Sequence, residues 1–253
     1  MNAPTKMIEV LPQTVEFKLD GNTIHAYEGE TILKAAKRHG IDIPHLCYKD
    51  GMRADGNCRA CVVEVKGERV LAPSCCRSVA AGMEVQAKSE RALKSQKMVV
   101  EMLLSDMPDV GYKWNDDLLL PLPGEGRDGR IPASTAIGQH GELSDWATVL
   151  NITVRPELKA LRREQPKADI SHPAMAVNLD ACIQCNRCVR ACREEQVNDV
   201  IGYAMRGSHS EIVFDLNDAM GDSTCVACGE CVQACPTGAL MPKTQIGDRK
   251  SVV

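Results

Sequence analysis

Apolar and polar positions alternate with period two in Val15-Glu-Phe-Lys-Leu19 and again in Thr23-Ile-His-Ala-Tyr27. Asp20-Gly21-Asn22 between them is a hairpin signal, so the pattern predicts two paired strands. The period then lengthens. Glu30-Thr31 opens a helix with Ile32, Ala35, Ala36 and His39 on one face, and Gly40 closes it as a C′ residue. After a loop through Ile43-Pro44-His45-Leu46-Cys47, strands are expected at Val62–Val65, Arg69–Ala72 and Met83–Ala87, the first two joined by the turn Lys66-Gly67-Glu68. Ser89 is the N-cap of a further helix, Glu90 suits its first turn and Pro108 stops it. Leu93, Val100, Leu103, Leu104 and Met107 form its apolar stripe, expected to dock on a neighbouring domain. Beyond it the pattern weakens. Residues 121–132 are rich in Gly and Pro and read as an exposed loop. Short helices are expected from Ser144 to Leu150 and from Pro156 to Gln165, and short strands at Val177–Leu179 and Glu211–Leu216, with Gly238–Met241 closing the fold.

A chain of 253 residues can hold two or three small domains, and aromatic residues make up only 3% of it, which disfavours one large aromatic core. Residues 1–11 carry Lys6, Glu9 and one proline with no apolar core, unlike a signal peptide. No run of 18 apolar residues occurs, so a membrane partner is not expected. These features lead to the expectation of a soluble, cytoplasmic protein. The formal charge of −4 disfavours nucleic acid as a partner.

Thirteen cysteines change the picture, because they cluster at metal-ligand spacing. Cys182-Ile-Gln-Cys185-Asn-Arg-Cys188-Val-Arg-Ala-Cys192 and Cys225-Val-Ala-Cys228-Gly-Glu-Cys231-Val-Gln-Ala-Cys235 both read C-x2-C-x2-C-x3-C, the run that holds a [4Fe–4S] cube in bacterial-type ferredoxins. Three thiolates in a tight loop cap three corners of one cube, and the fourth, on the following helix, points to the other. The assignment is Cys182, Cys185, Cys188 and Cys235 to one cluster, and Cys225, Cys228, Cys231 and Cys192 to the second. The repeat implies two loop–helix units related by a pseudo-twofold axis. Zinc does not require the triple spacing, and disulfides need an oxidising compartment. Arg187, Arg190 and Arg193 inside the first motif either offset cluster charge or form a solvated helix face.

The earlier cysteines read Cys47-x10-Cys58-x2-Cys61-x13-Cys75, with Cys76 competing for the last place. Zinc at Cys58 and Cys61 is the rival reading. Strand–strand–helix followed by cysteines in a glycine-containing loop resembles the plant-type ferredoxin β-grasp, whose first gap is shorter. The longer gap is similar to the [2Fe–2S] domain of complex I-type, iron-hydrogenase and NAD-dependent formate dehydrogenase subunits. In those families the last ligand follows Pro-x, as Cys75 follows Pro73-Ser74. The resemblance therefore implies iron bound by Cys47, Cys58, Cys61 and Cys75, with Cys76 a spare thiol. Gly56 lets the loop backbone approach the bridging sulfides.

Ser171-His-Pro-Ala-Met-Ala-Val-Asn-Leu-Asp-Ala-Cys182 and the first motif, Gln196-Val-Asn-Asp-Val-Ile-Gly202, and Ser223-Thr-Cys225 through Leu240 closely resemble the N-terminal iron–sulfur region of the α subunit of soluble NAD-dependent formate dehydrogenases. Gly56–Cys61 and Glu68–Ala72 match it as well. The likeness covers roughly residues 15–105 and 171–250. In that family a molybdenum or tungsten pterin domain follows, which implies that this chain is a fragment or a separately encoded piece. The His-plus-three-Cys site of complex I-type and hydrogenase subunits has no counterpart, since no cysteine lies between Cys76 and Cys182. His140 is then a loop residue, and no histidine is assigned a metal.

The expected fold is α+β: a plant-type [2Fe–2S] β-grasp domain over 13–88, a helical and Pro/Gly-rich connection over 89–170, a bacterial-type 2[4Fe–4S] domain over 171–243 and a tail over 244–253. The resemblance implies an electron-relay subunit or fragment of an oxidoreductase with no catalytic residue of its own. Molybdenum or tungsten pterin and FMN are expected on partner subunits, a catalytic one and a flavin/NAD diaphorase. Rival readings are the iron–sulfur subunit of an NAD-reducing hydrogenase, of a succinate dehydrogenase or fumarate reductase, and a non-redox metal-binding scaffold.

Overall fold

The computed structural model describes residues 13–107, 141–163 and 167–245. The expectations for residues 1–11, Pro108, the 121–132 loop, His140, the end of the helix at Gln165 and most of the tail lie outside the described residues. The chain divides into two compact units, Met1–Ile43 with Cys61–Lys94, and Pro44–Ala60 with Ser95–Val253. This division cuts across the linear boundaries expected from sequence, because Cys47 and Cys58 fall in the second unit.

In the first unit β1 (Thr14–Leu19) and β2 (Asn22–Tyr27) form the expected hairpin. Leu19 faces Asn22, so the turn is the pair Asp20 and Gly21, with φ of 49° and 85°. Positive φ at both central residues is the type I′ requirement, which an Asp-Gly pair meets. Phe17, Leu19, Ile24 and Ala26 point into the core, as the alternation requires. Helix α1 (Ile32–Arg38) starts where Thr31 Oγ1 accepts the Lys34 N–H. It ends in a Schellman arrangement, with Gly40 at φ 71° and Ile41 N–H donating to the Ala36 carbonyl. Its buried face is Ile32, Leu33, Ala35 and Ala36. His39, expected on that face, is exposed and its Nε2 lies 2.8 Å from the His25 carbonyl.

β3 (Val62–Val65), β4 (Ala72–Pro73) and β5 (Glu84–Gln86) complete a mixed sheet of order β2-β1-β5-β3-β4, in which β1 and β5 run parallel. The strand expected at Arg69–Ala72 shrinks to its last residue plus Pro73. The Arg69 carbonyl accepts instead from the Arg91 side chain, and Val70 is 60% exposed.

Helix α2 (Glu90–Ser105) begins as expected, with Ser89 Oγ accepting from Ala92 N–H. From Val100 onward its stripe is part of the second unit's own core rather than a docking face. Val100, 0% exposed, packs with Leu143, Ala147, Leu150 and Ile152, and Leu103, Leu104 and Met107 join them. α3 (Glu142–Val149) starts two residues earlier than expected, so Ser144 is a buried helical residue and not the cap. α4 (Pro156–Lys159) is a single turn.

The remainder of the second unit contains two two-stranded sheets, β6 (Met175–Val177) with β9 (Leu240–Pro242), and β7 (Ile201–Ala204) with β8 (Glu211–Phe214). β7 escapes sequence reading because Ile-Gly-Tyr-Ala is short and holds a glycine. Leu179 belongs to a 3₁₀ turn, and Leu216, 94% exposed, lies past the end of β8. α5 (Arg187–Arg190), continued by a π-helical turn over Ala191–Glu195, and α6 (Glu230–Ala234) are the two short cysteine-bearing helices. Met175, Val177, Leu179, Val189, Val200, Ile201, Ile212 and Phe214 form the core around them.

Candidate iron–sulfur sites

The two motif loops have matching backbones. Gln184 and Asn186 adopt left-handed conformations (φ 53° and 67°), as do their counterparts Ala227 and Gly229 (58° and 82°). In each loop the residue two beyond the first cysteine turns its N–H to that sulfur: Gln184 to Cys182 Sγ and Ala227 to Cys225 Sγ, both 3.4 Å. Such bonds stabilise thiolate and are one of the levers by which a protein sets cluster potential.

Cys182, Cys185 and Cys188 line a cavity whose other walls include Leu179, Ile183, Ile212, Leu240 and Cys235. The thiol from the second motif thus lies with three from the first. Cys231 lies within reach of the charges of Cys225, Cys228 and Cys192. Burial pushes its thiol up to about 12, and those charges add to the shift. Burial likewise raises Cys182 to about 11 against the opposing Gln184 N–H, with Cys235 adding to the rise. Cys185 and Cys188 are held higher still by burial first and by neighbouring thiols after it. Thiols so placed ionise when a metal takes the charge, so ligation and proton release go together. Four soft donors in an apolar cavity suit an iron–sulfur cube. Among the described residues no three His, Cys, Asp or Glu side chains close on one point as the ligands of a single ion would. The second set is the more open one, since Cys228 is exposed while Cys185 is buried.

The earlier cysteines are positioned separately within each unit. In the second unit Cys47 and Cys58 each donate a backbone N–H to the other's Sγ, both at 3.4 Å. The Cys47 thiol, then burial, holds Cys58 far above the usual range. In the first unit Ser74 ties Cys61 to the loop bearing Cys75, its N–H and hydroxyl both donating to the Cys61 carbonyl (3.1 and 2.7 Å). The free amides of the first turn of α1 hold the same loop, Ile32 N–H donating to Arg77 and Leu33 N–H to Ser74. Cys75 is 0% exposed, whereas Cys76 is exposed with its sulfur 3.5 Å from that of Cys75.

Arg187 and Arg190 are 2% and 3% exposed, so neither lies on a solvated face; Arg193 is exposed and pairs with Asp199 at 2.6 Å. Two further residues escape sequence reading because their partners are distant in the chain or short-range and silent. Tyr203 donates its hydroxyl to the Gln184 carbonyl at 3.1 Å, and burial, then the charges of Cys188, Cys182 and Cys185, hold its phenol protonated. Thr237 is buried with its hydroxyl 3.7 Å from Cys235 Sγ.

Residues 12–90 match a family described as a 2Fe-2S iron-sulfur cluster binding domain, and residues 181–239 match a 4Fe-4S dicluster domain. The chain is 36% identical over 234 residues to the NADP-reducing hydrogenase subunit HndD of Solidesulfovibrio fructosivorans, covering 88% of this chain and 35% of that protein. It is 30% identical over 233 residues to the mitochondrial NADH-ubiquinone oxidoreductase 78 kDa subunit of Candida albicans, covering 90% of this chain and 28% of that protein. The chain therefore spans about a third or less of the length of these relatives. Among solved structures, a chain of an NAD+-reducing [NiFe]-hydrogenase in the H2-reduced state aligns with a TM-score of 0.70 at 27% identity, over 90% of this chain and 87% of that one. These relatives are subunits of oxidoreductase complexes, in line with the expectation from sequence. No helix among the described residues is long and apolar enough to cross a membrane. The chain carries a 2Fe-2S domain and a 4Fe-4S dicluster domain of the type found in the iron–sulfur subunits of NADH-quinone oxidoreductases and NAD-reducing hydrogenases.

Proposed function

We propose that this chain is the iron–sulfur relay of a soluble, cytoplasmic NAD-linked oxidoreductase, passing electrons between a catalytic subunit and a flavin/NAD subunit. The observation that carries it is the cavity that Cys235 of the second motif lines together with Cys182, Cys185 and Cys188 of the first. Cys182, Cys185, Cys188 and Cys235 hold the first [4Fe–4S] cluster in this reading; Cys225, Cys228, Cys231 and Cys192 hold the second. Cys47, Cys58, Cys61 and Cys75 hold one [2Fe–2S] cluster, for which the buried Cys75 is a better candidate than the exposed Cys76. The five-stranded mixed sheet with α1 after its first hairpin supports a β-grasp fold for the first of these domains. Bound clusters supply one-electron transfer. The chain fixes their ligands, excludes water from the first cavity and aims backbone N–H groups at sulfur.

Formate is the proposed electron donor, with molybdenum or tungsten pterin on the catalytic partner, and this half of the reading rests on the sequence motifs. A second reading, hydrogen as donor, is favoured by the 36% identity to an NADP-reducing hydrogenase subunit and the 0.70 TM-score to an NAD+-reducing hydrogenase chain. The native complex, purified anaerobically, separates them. Formate-driven reduction of NAD with molybdenum or tungsten present supports the first, and hydrogen-driven reduction without either metal moves the chain to the second.

A further inference from the structure

Arg187 and Arg190 belong to the short helix that carries Cys188, yet both guanidiniums turn away from solvent. Arg190 donates to the carbonyl of Cys47 at 2.7 Å and to that of Arg53, and among the described residues it meets no carboxylate. Arg187 donates to the Leu46 carbonyl at 3.0 Å and forks onto Glu142 at 2.6 and 2.9 Å. The Nε of each is buried with no acceptor. A guanidinium out of water without an anion is strongly unfavourable, and backbone carbonyls offset only part of that. Glu142, whose side chain is 41% exposed, supplies counter-charge to Arg187; among the described residues Arg190 has none.

The missing negative charge has a source in the same neighbourhood. Arg187 follows Cys185 by two residues and precedes Cys188, and Arg190 lies between Cys188 and Cys192. The Leu46–Cys47 segment that both arginines grip carries Cys47, whose sulfur pairs with Cys58, and Cys47, Cys58 and Cys185 share one apolar cluster. We propose that Arg187 and Arg190 are positioning and tuning residues: buried counter-ions shared by the first cubane and by the Cys47–Cys58 side of the [2Fe–2S] cluster, whose reduction they favour, with Glu142 setting how much of that positive charge remains. This deepens the relay reading and rests on it. Reduction adds a negative charge to a cluster, so a fixed positive charge in a low-dielectric site raises the potential, and a nearby carboxylate lowers it.

Removing a buried guanidinium and removing the Glu142 carboxylate must therefore act with opposite signs, which a merely structural role does not require. The full chain is isolated anaerobically with its clusters, iron and sulfide are counted, and potentials are taken by redox titration followed by EPR. Cys185→Ala marks the first-cubane signal. Arg190→Gln should lower the potentials of the first cubane and the [2Fe–2S] cluster by tenfold or more in the reduction equilibrium, which is 59 mV for one electron. Arg190→Lys should restore most of the shift, and Glu142→Gln should raise the first cubane. Potentials within twofold of wild type in Arg190→Gln, or a fall in Glu142→Gln, overturn the proposal. Should Arg190→Gln fail to hold its clusters, Glu142→Gln decides alone, since a rise supports the proposal and no change or a fall overturns it. A wild-type chain without iron removes the relay reading itself, whereas a loaded chain with unmoved potentials removes only this inference.

Discussion

If the fourth ligands cross, cluster loss in double variants follows the sets and not the motifs. Cys185 and Cys235 line one cavity although 50 residues separate them in the chain, and Cys192 acts on the Cys231 thiol. The loaded chain should hold about ten irons, two from a [2Fe–2S] cluster and four from each cube. Cys185→Ala should lose up to about four of them, leaving about six. Adding Cys235→Ala removes a ligand from the same cube, so the count should stay near six. Adding Cys192→Ala instead strikes the second cube, and the count should fall to about two. The design needs no spectral assignment, because the pairwise count carries the answer. Cys235 is half-buried and Cys192 buried, and replacement by Ala removes only the sulfur atom of each. Anaerobic iron and sulfide analysis reads the outcome, with EPR of the reduced samples as a second measure. If Cys185→Ala with Cys235→Ala falls to about two irons while Cys185→Ala with Cys192→Ala stays near six, each motif holds its own cube and the crossed sets are wrong.

Cys75→Ser should abolish the [2Fe–2S] EPR signal while Cys76→Ser keeps it, and loss confined to Cys76→Ser would show the exposed neighbour to be the ligand. The isolated chain with its clusters should pass electrons from dithionite to an artificial dye but neither oxidise formate nor reduce NAD; turnover without added catalytic and flavin subunits would contradict a pure relay. Leu143→Ala, at a position 0% exposed among Val100, Ala147 and Cys47, should cost roughly 2–5 kcal/mol in denaturant unfolding. Leu161→Ala, at a position 74% exposed, should stay within about 0.5 kcal/mol, and equal effects would refute the packing argument. Burial works to raise the Asp169 carboxyl, yet hydrogen bonds from Ser171 and Met220 win and hold it below its usual range. Asp169→Asn should therefore cost about 1 kcal/mol, discounted for exposure, above the unfolded-state pKa of about 3.9. That difference should fade as pH falls through the lowered folded value, as stability measured at pH 7 and at low pH would show.

What the sequence made legible is what depends on neighbours in the chain. Asp20-Gly21 specifies its turn by backbone chemistry alone, and Gly40 ends α1 for the same reason. The two cysteine loops are legible as a repeat, though their left-handed backbone at Gln184 and Ala227 is not, since neither residue type signals it. Position 229 has glycine where position 186 has asparagine, the two residue types that tolerate left-handed backbone most readily. The arginines show the opposite case. Arg187 and Arg190 sit three apart on a helix, which reads equally as a charged surface face, and their partners Leu46 and Cys47 lie 141 and 143 residues away. Nothing local marks a charge that will be buried. The same long reach explains why residues 44–60 join the second unit when the strand pattern assigns them to the first. Buried donors fix a segment to the element that satisfies its carbonyls, and here that element is the cysteine helix rather than the sheet. If Cys47 is a cluster ligand, the grip of Arg190 on its carbonyl would tie that ligand to the helix bearing Cys188.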